Sequence, residues 1–282
     1  TPLMSRLSAG AFAAFLTVSV LGSCAQAQNN SGSHAHPHAS KPDRGPKQTG
    51  SVLVFSGTGW YRHPETAAIS GWLARLADDL GMQVDVSENP KDIQQLLDRY
   101  DVLVLNNSNE LTKVFDERQR KMIRDWYRSG KGIVALHAAL VHQTEWDWFS
   151  TIGGCDFNSD SEYLEARVTV DPDATDHPSV RGFGPSFHYT ADWTNHTRSV
   201  TGLPGFKVLL RVDESTFEPV RDYFQTRGGK AMGKDHPVAW LHENEGGRFF
   251  YTELGHDVRS LDTKFGRQHI VESIKWAARI DE

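Results

Sequence analysis

Cysteine is almost absent from this chain of 282 residues, which contains only Cys24 and Cys155. Cys24 falls in an N-terminal segment that we expect to be removed or lipidated, so the folded domain has one thiol and no internal disulfide. Its stability must therefore come from a hydrophobic core. Cys155 follows Gly153 and Gly154 in a polar stretch. A lone cysteine in such a stretch is more often incidental than catalytic. Catalysis by Cys155, as in a Cys-dependent amidotransferase, is therefore the weakest of the functional hypotheses considered below.

The chain also lacks an excess of positive charge and the common nucleotide-binding motifs. Its formal net charge is −6 and no cluster of Lys or Arg stands out, so we expect no nucleic-acid partner. Neither G-x-G-x-x-G nor G-x-x-x-x-G-K-[ST] occurs. The glycines of Gly57-Thr58-Gly59 are therefore interpreted as a tight turn and not as a phosphate-binding loop.

Only one segment is hydrophobic enough to contact a membrane, and it lies at the N-terminus. Arg6 precedes a mostly apolar segment from Leu7 to Leu21, which is too short to span a bilayer and is typical of a signal peptide. The run ends in Leu21-Gly22-Ser23-Cys24, which resembles a bacterial lipoprotein signal with Cys24 as the lipidated residue. Ordinary cleavage after Ala27 is the alternative. Both predict export to the periplasm or cell envelope, with membrane contact only through the lipid anchor.

Three regions follow from these patterns. Residues 1–27 form the signal peptide, and residues 28–50, rich in Asn, Ser, Gly, His and Pro, form a disordered linker. His34, His36 and His38 within the linker are interpreted as solvated residues and not as a metal site. Residues 51–282 form one α/β domain.

Within this domain, buried-strand patterns alternate with amphipathic helix patterns. This alternation predicts parallel strands joined by right-handed crossovers, hence a doubly wound, mostly parallel sheet with helices on both faces. The C-terminal half contains extra strands whose place in the sheet is left open. The predicted strands are 51–55, 82–86, 101–105, 132–136, 164–170, 206–212, 238–241 and 248–252, and the predicted helices are 64–80, 93–97, 116–128 and 265–278.

Histidines follow several strands at the point where each strand ends. His63 comes after the first strand, His137 directly after the fourth, and His256 shortly after the last, with Glu253 beside it. Carboxyl ends of parallel strands share one edge of a sheet, so we expect a shared site. Two chemistries stay open: a divalent metal such as zinc held by His63, His137 and His256, or an imidazole acting as general acid or base, with Glu253 as orienting or acid/base group.

Aromatic and polar residues near these strand ends are candidates for binding a substrate. The chain has 8 Trp and 7 Tyr, most of which we assign to the core, but some rings can stack on a sugar face. The substrate-binding candidates at the site are Trp60, Tyr61, Asn107, His142, Asp192 and Trp193. His177 and His236, each followed by proline, are interpreted as loop residues whose rings point outward.

Four motifs together resemble the ThuA-like family, which is named for trehalose utilisation. They are Gly57 to His63, the G-K-G-x-x-x-x-H-A-A turn from Gly130 to Ala139, the P-x-A-W strand from Pro237 to Trp240, and the strand end from Gly247 to His256. The match extends from Ser51 to Ala278. The sequence departs from the family pattern at Asp192-Trp193, where members more often carry Asp-Glu before an aromatic residue.

The resemblance implies a flavodoxin-like sheet related to class I glutamine amidotransferases. It places His137 at the position of their nucleophile and His256 near their catalytic histidine, which argues against a Cys-dependent glutaminase. It also implies a role in sugar breakdown. Our first hypothesis is an exported hydrolase or lyase acting on a glycoside or keto-glycoside. The alternative is a non-catalytic sugar-binding lipoprotein, and assembly into a homo-oligomer is left open.

Overall fold

The hydrophobic runs of the N-terminal half form parallel strands of one sheet. The computed structural model describes residues 50–280, and its first strands are β1 (Ser51–Phe55), β2 (Gln83–Ser87), β3 (Val102–Asn106) and β4 (Gly132–Leu136). Every residue of β1, β3 and β4 is buried, as expected for strands covered by helices on both faces. β2 lies at the edge of the sheet and is the most exposed of the four strands.

Three helices connect these strands, and the second and third begin at a side-chain cap, Asn89 and Asp116. The three helices are α1 (Thr66–Asp79), α2 (Pro90–Leu96) and α3 (Glu117–Arg128). Asp116 and Gln119 form a capping box at the start of α3, which satisfies backbone N–H groups that have no partner within the helix. The sequence places the start of the first helix at the Pro64 turn, two residues before the structure begins α1.

Side chains alternate between two cores, one on each face of the sheet. Val52 and Val54 of β1 pack into a cluster with Leu73 of α1, whereas Leu53 and Phe55 pack into the opposite cluster. This alternation follows from the two-residue period of a strand. The doubly wound architecture predicted from the sequence is confirmed.

The C-terminal half contributes seven strands, of which four were predicted. They are β5 (Phe157–Asp160), β6 (Leu164–Val170), β7 (Ser186–Ala191), β8 (Thr194–His196), β9 (Lys207–Val212), β10 (Pro237–His242) and β11 (Arg248–Thr252). The main sheet has nine strands in the order β2-β1-β3-β4-β11-β10-β9-β6-β7, and β5 pairs with β8 in a separate sheet. β11 runs parallel to β4, and the strands beyond it are antiparallel.

The remaining helices are α4 (Asp147–Gly153), α5 (Asp222–Gln225), α6 (Val258–Leu261) and α7 (Lys264–Ala277). α7 lies so close to β4 that a Cβ at Gly132 would clash with the carbonyl oxygen of Ala277. This contact explains why a glycine opens the strand that leads to His137.

The signal peptide, the lipidation of Cys24 and most of the linker fall on residues 1–49, outside the described residues. Within residues 50–280, none of the helices combines the length and the apolar character needed to cross a bilayer.

Candidate functional site

His137 is the first residue after β4 and adopts an unusual backbone conformation. Its φ of 49° lies in the left-handed region, which is strained for a residue with a side chain. The chain then forms a short 3₁₀ turn, His137–Leu140. Gly255, with a φ of 137°, passes so close that a Cβ there would lie 3.3 Å from the Cβ of His137.

One nitrogen of the His137 ring is held from behind by Glu253. Nδ1 lies 3.1 Å from the backbone carbonyl oxygen of Glu253 and 3.1 Å from its Oε1. Both partners are acceptors, so Nδ1 carries the hydrogen in this assignment. Nε2 is thereby directed to the opposite side, towards the cavity.

Glu253 is itself fixed by neighbours. It follows β11 directly and is buried, and its Oε1 accepts a hydrogen bond of 2.5 Å from Thr194 Oγ1. Its Oε2 accepts one of 2.7 Å from Tyr251 OH. These hydrogen bonds hold the buried carboxylate in one position, where it can orient the imidazole that it contacts.

Asp192 and His256 form the second carboxylate–histidine pair. Asp192 lies between β7 and β8, and its Oδ2 is 3.0 Å from His256 Nδ1 and 3.5 Å from His137 Nε2. Burial raises the pKa of Asp192, but His137 and the hydrogen bond from His256 outweigh it, so the pKa is lowered. Asp192 thus lies in the site although the sequence departs from the family pattern here.

His63 completes the cluster from the loop after β1. Its ring centre is 4.9 Å from that of His137 and 5.4 Å from that of His256. Its Nδ1 is buried and has no hydrogen-bond partner. Burial, together with the charges of His137 and His256, lowers the pKa of His63 to about 3.

The pKa values of His63 and His137 are thus driven in opposite directions. Burial lowers the pKa of His137, but Asp192 and Glu253 outweigh it and raise the pKa to about 9. At neutral pH, His137 is therefore an imidazolium and His63 is neutral. Such a contrast between neighbouring groups is typical of an acid/base pair.

A cavity of about 250 Å³ opens above the cluster. Trp60 and Tyr61, 57% and 48% exposed, stand at its mouth. Arg221 lies at the cavity with its Nε 2.5 Å from Asp160 Oδ1. Burial raises the pKa of Asp160 to about 6 even though Arg221 opposes the shift. The other lining residues are His63, His137, Ala138, Val141, Phe157, Ser161, Glu162, Tyr163, Asp192, Thr194, Phe224 and His256.

The three histidines have the geometry to hold a metal ion. One ligand nitrogen from each of His63, His137 and His256 lies within 4.8 Å of the others. The unpartnered Nδ1 of His63 fits this role, as does the Glu253 carboxylate behind His137, since ligating histidines usually donate their second N–H to a carboxylate or carbonyl. This donor set suits Zn²⁺ with an open position for water or substrate.

Two predicted substrate-binding residues are buried away from the cavity. Trp193 is 1% exposed and packs near Phe217 in the core, because successive residues of an extended chain point to opposite sides. Asn107 is fully buried, and its side chain bonds the carbonyl of Gly255 and the N–H of Ala138. We therefore correct both assignments: Trp193 is a core residue, and Asn107 braces the turn that carries His137.

His142 is exposed and lies beside the mouth of the cavity, where its ring meets Trp60 edge-on with the centres 4.5 Å apart.

The structure corrects the interpretation of His236, which is 0% exposed instead of facing solvent. His177 likewise packs against Phe250 and Trp276. Cys155 is buried, and burial raises the pKa of its thiol, which argues against a nucleophilic role.

Several site residues escaped the sequence analysis. Asp160, Thr194 and Arg221 lie on short strands or turns with no periodic pattern. The pairing of β5 with β8 places Asp160 opposite Thr194, and the backbone N–H of Arg221 bonds the carbonyl of Asp160. The polar run from Asn158 to Ser161 was the one available signal, and it is equally typical of a loop.

The fold and the site define a class of doubly wound, mostly parallel α/β proteins in which a histidine occupies the turn after β4. Within that class, the chain belongs to the ThuA family, described as trehalose utilisation, whose family model matches residues 51–277. This membership gives the protein a carbohydrate-related role. A search of curated proteins finds no match.

Solved structures agree with this fold. A putative ThuA-like protein from Bacteroides uniformis has a TM-score of 0.68 at 19% identity, with 86% of this chain and 95% of that chain covered. A second, from Parabacteroides merdae, has a TM-score of 0.58 at 17% identity, covering 83% and 92%. A β-galactosidase from Bacillus circulans matches at 0.50 and 10% identity, with 83% of this chain but 32% of that chain covered. At these identities the similarity concerns the fold alone.

Proposed function

We propose that this protein is an exported carbohydrate-processing enzyme, a hydrolase or lyase that cleaves a glycoside or keto-glycoside at its histidine cluster. The observation that carries the proposal is the contact between a protonated His137 and a neutral His63, whose Nδ1 has no hydrogen-bond partner, in a cavity with aromatic walls. One ring is set to donate a proton and the other to accept one.

The acid step uses His137. Its Nε2 faces the cavity, where it donates a proton to the glycosidic oxygen as the carbon–oxygen bond breaks. Glu253 and Asp192 stabilise the imidazolium before this transfer. A neutral leaving group departs, and His137 becomes neutral.

The base step uses His63. In the lyase form of the reaction, the His63 ring removes a proton from the carbon next to the ketone, and the C–H electrons form the new double bond. In the hydrolase form it takes the proton from the attacking water. Part of the lowering of its pKa comes from the charge of His137, so loss of the His137 proton makes His63 a stronger base.

A divalent ion such as zinc would be held by His63, His137 and His256. When bound, such an ion supplies a Lewis acid for a substrate carbonyl or lowers the pKa of a water molecule. Nε2 of His137 cannot carry a proton and ligate a cation together, so the two uses of this ring exclude each other.

The walls of the cavity suit a sugar ring. Trp60 and Tyr61 offer aromatic faces for the C–H side of a pyranose, and Asp160 with Arg221 offers an acceptor and donors for its hydroxyl groups. Export rests on the N-terminal signal pattern alone, and lipidation of Cys24 would tether the enzyme to the cell envelope.

The test is turnover of a panel of aryl glycosides and their keto derivatives by the full-length protein. His137→Gln and His63→Gln should each lose about 100-fold or more of kcat, while His188→Gln, an exposed histidine on β7, should keep full turnover. Full turnover in both site variants would refute the proposal. Sugar binding without any turnover would favour the sugar-binding lipoprotein.

A further inference from the structure

His236 is a fully buried histidine that the proposed chemistry does not use. It precedes β10 directly and lies on the far side of Thr194 from the cavity. Its ring is 0% exposed, and both of its nitrogens have partners. A polar ring in such a place must be satisfied by its hydrogen bonds, so its contacts show what it holds.

Both contacts of the His236 ring are to oxygen atoms. Nδ1 lies 2.8 Å from Glu214 Oε1, and Nε2 lies 2.7 Å from the backbone carbonyl oxygen of Thr194. A carbonyl accepts only, so Nε2 donates to Thr194, and Nδ1 lies within hydrogen-bond distance of the Glu214 carboxylate. The ring therefore joins Glu214 to β8 with two hydrogen bonds.

Glu214 is held firmly at the outer end of this connection. Besides His236, its carboxylate accepts hydrogen bonds from the backbone N–H of Met232, at 2.7 Å, and of Gly233, at 2.8 Å. Burial raises the pKa of Glu214, but these hydrogen bonds outweigh it and lower the pKa, which keeps the group ionised. The anion and the His236 ring thus form a fixed pair.

Thr194, the other residue bonded to His236, is connected to His137 through Glu253. Thr194 Oγ1 donates a hydrogen bond of 2.5 Å to Glu253 Oε1. This Oε1 atom lies 3.1 Å from His137 Nδ1. Since His236 fixes the Thr194 backbone, it also fixes the hydroxyl that orients Glu253. An unbroken series of hydrogen bonds and fixed residues leads from Glu214 to His137.

We propose that His236 and Glu214 are positioning residues for His137, acting through Thr194 and Glu253. They hold the Glu253 carboxylate where it keeps the hydrogen on Nδ1 of His137, which leaves Nε2 for the cavity. This inference rests on the proposed function only in taking His137 as the working ring. It adds two residues that touch neither substrate nor the reacting atoms.

The competing explanation is that the pair merely anchors the segment that ends at His236. Asp235 offers a matched control, because its carboxylate also anchors this segment, through Ser199, Thr201 and Arg211, and has no contact leading to Glu253. A general loosening of the segment would affect Asp235→Asn as well. Loss of positioning would affect only Glu214 and His236 variants.

The experiment uses the proton NMR spectrum of the full-length protein. A ring N–H bonded to a carboxylate gives a resonance downfield of the amide region, and the His137 signal is identified by its absence in His137→Gln. We expect Glu214→Gln and His236→Gln to move this resonance upfield, with unchanged position in Asp235→Asn. Where a substrate is in hand, kcat should fall about 10-fold, with KM changed by less than about 2-fold.

An unmoved resonance in Glu214→Gln would overturn the inference, and so would an equal shift in Asp235→Asn. If His236→Gln does not fold, Glu214→Gln decides the question, because it preserves the shape of the side chain and removes the charge and one acceptor oxygen. The spectrum requires no turnover, so a failure of the proposed enzymatic function leaves this test intact.

Discussion

Glu253 contacts the Nδ1 atom of His137 twice, with its backbone carbonyl oxygen and with Oε1, each at 3.1 Å. The carbonyl would suffice to choose the tautomer of a neutral ring, since it can only accept a hydrogen bond. The carboxylate adds the charge that, with Asp192, raises the pKa of His137 to about 9 although burial opposes the shift. Glu253 therefore sets the direction of the ring and, together with Asp192, its protonation.

Glu253→Gln should separate these two contributions. The backbone contact survives, but the charge is lost, so His137 should be a weaker proton acceptor and kcat should fall about 100-fold. Activity against pH checks this, because loss of the carboxylate should move the alkaline limb of the profile to lower pH. Glu243→Gln, a carboxylate just beyond β10 at the other end of β11, should leave the profile unchanged.

Zinc binding should depend on the histidine cluster. In full-length protein with His34, His36 and His38 changed to alanine, titration calorimetry with zinc alone should give one equivalent bound. His63→Ala and His256→Ala should each weaken binding by more than about 100-fold, because three-ligand sites lose most of their affinity with one ligand. His188→Ala is the control, and equal binding by all of these proteins would contradict the site.

Replacement of Trp60 should affect sugar binding, whereas replacement of Trp193 should affect stability. Trp60→Ala removes an exposed ring, so stability should change by less than about 0.5 kcal/mol while sugar binding weakens. Trp193→Ala empties a buried site and should lower the free energy of unfolding by about 3–5 kcal/mol. Chemical denaturation and sugar titration of both variants check the pair. A large loss of stability in Trp60→Ala would contradict the assignment of its ring to the mouth.

Buried neutral histidines should make the fold acid-sensitive. Burial lowers the pKa of His269 from 6.5 to about 4. Below pH 6.5 the unfolded chain gains a proton that the native chain does not, so this residue lowers the free energy of unfolding by about 1.4 kcal/mol per pH unit until about pH 4. Above pH 6.5 it contributes no slope.

His269→Asn should flatten the dependence of unfolding free energy on pH by that amount between pH 6.5 and 4. The measurement is chemical denaturation at several pH values across this window. His188→Asn, at an exposed position, should leave the slope as it is. A slope unchanged by His269→Asn would show that His269 titrates alike in the folded and unfolded chain.

Gly255 should matter for activity and not only for folding. Gly255→Ala introduces a positive-φ strain of about 1–2 kcal/mol and a methyl group 3.3 Å from the Cβ of His137. Gly228→Ala carries a similar backbone strain, with φ +81°, in open space. Both should lower stability, but only Gly255→Ala should lower kcat. Comparable activity in the two variants would contradict the close packing of Gly255 on the His137 turn.

The sequence was informative where structure depends on neighbours along the chain. β1, β3 and β4 were predictable from continuous apolar runs, and α3 from its amphipathic pattern. His63, His137 and His256 could be expected to meet because ends of parallel strands share an edge. Each of these inferences needs only local pattern and one topological rule.

The remainder depends on contacts between distant residues. β5 is the short sequence Phe-Asn-Ser-Asp, which has no strand periodicity and is ordered by pairing with β8. The Asp160–Arg221 pair at the cavity depends on that pairing. The inward position of Asp192 and the core position of Trp193 depend on which face the chain presents after β7, and the sequence contains no marker for that choice.

The position of β11 has a consequence for folding kinetics. β11 (Arg248–Thr252) lies between β4 and β10, so the last strand within residues 50–280 occupies the middle of the sheet. Its register with β4 joins residues separated by more than a hundred positions, for example Gly132 with Arg248. Such non-local pairing is slow and leaves the flank of β4 without a partner until β11 has been synthesised. A nascent chain that stops before residue 248 lacks both the strand that joins the two halves of the sheet and Glu253, so the continuous sheet and the candidate site form together.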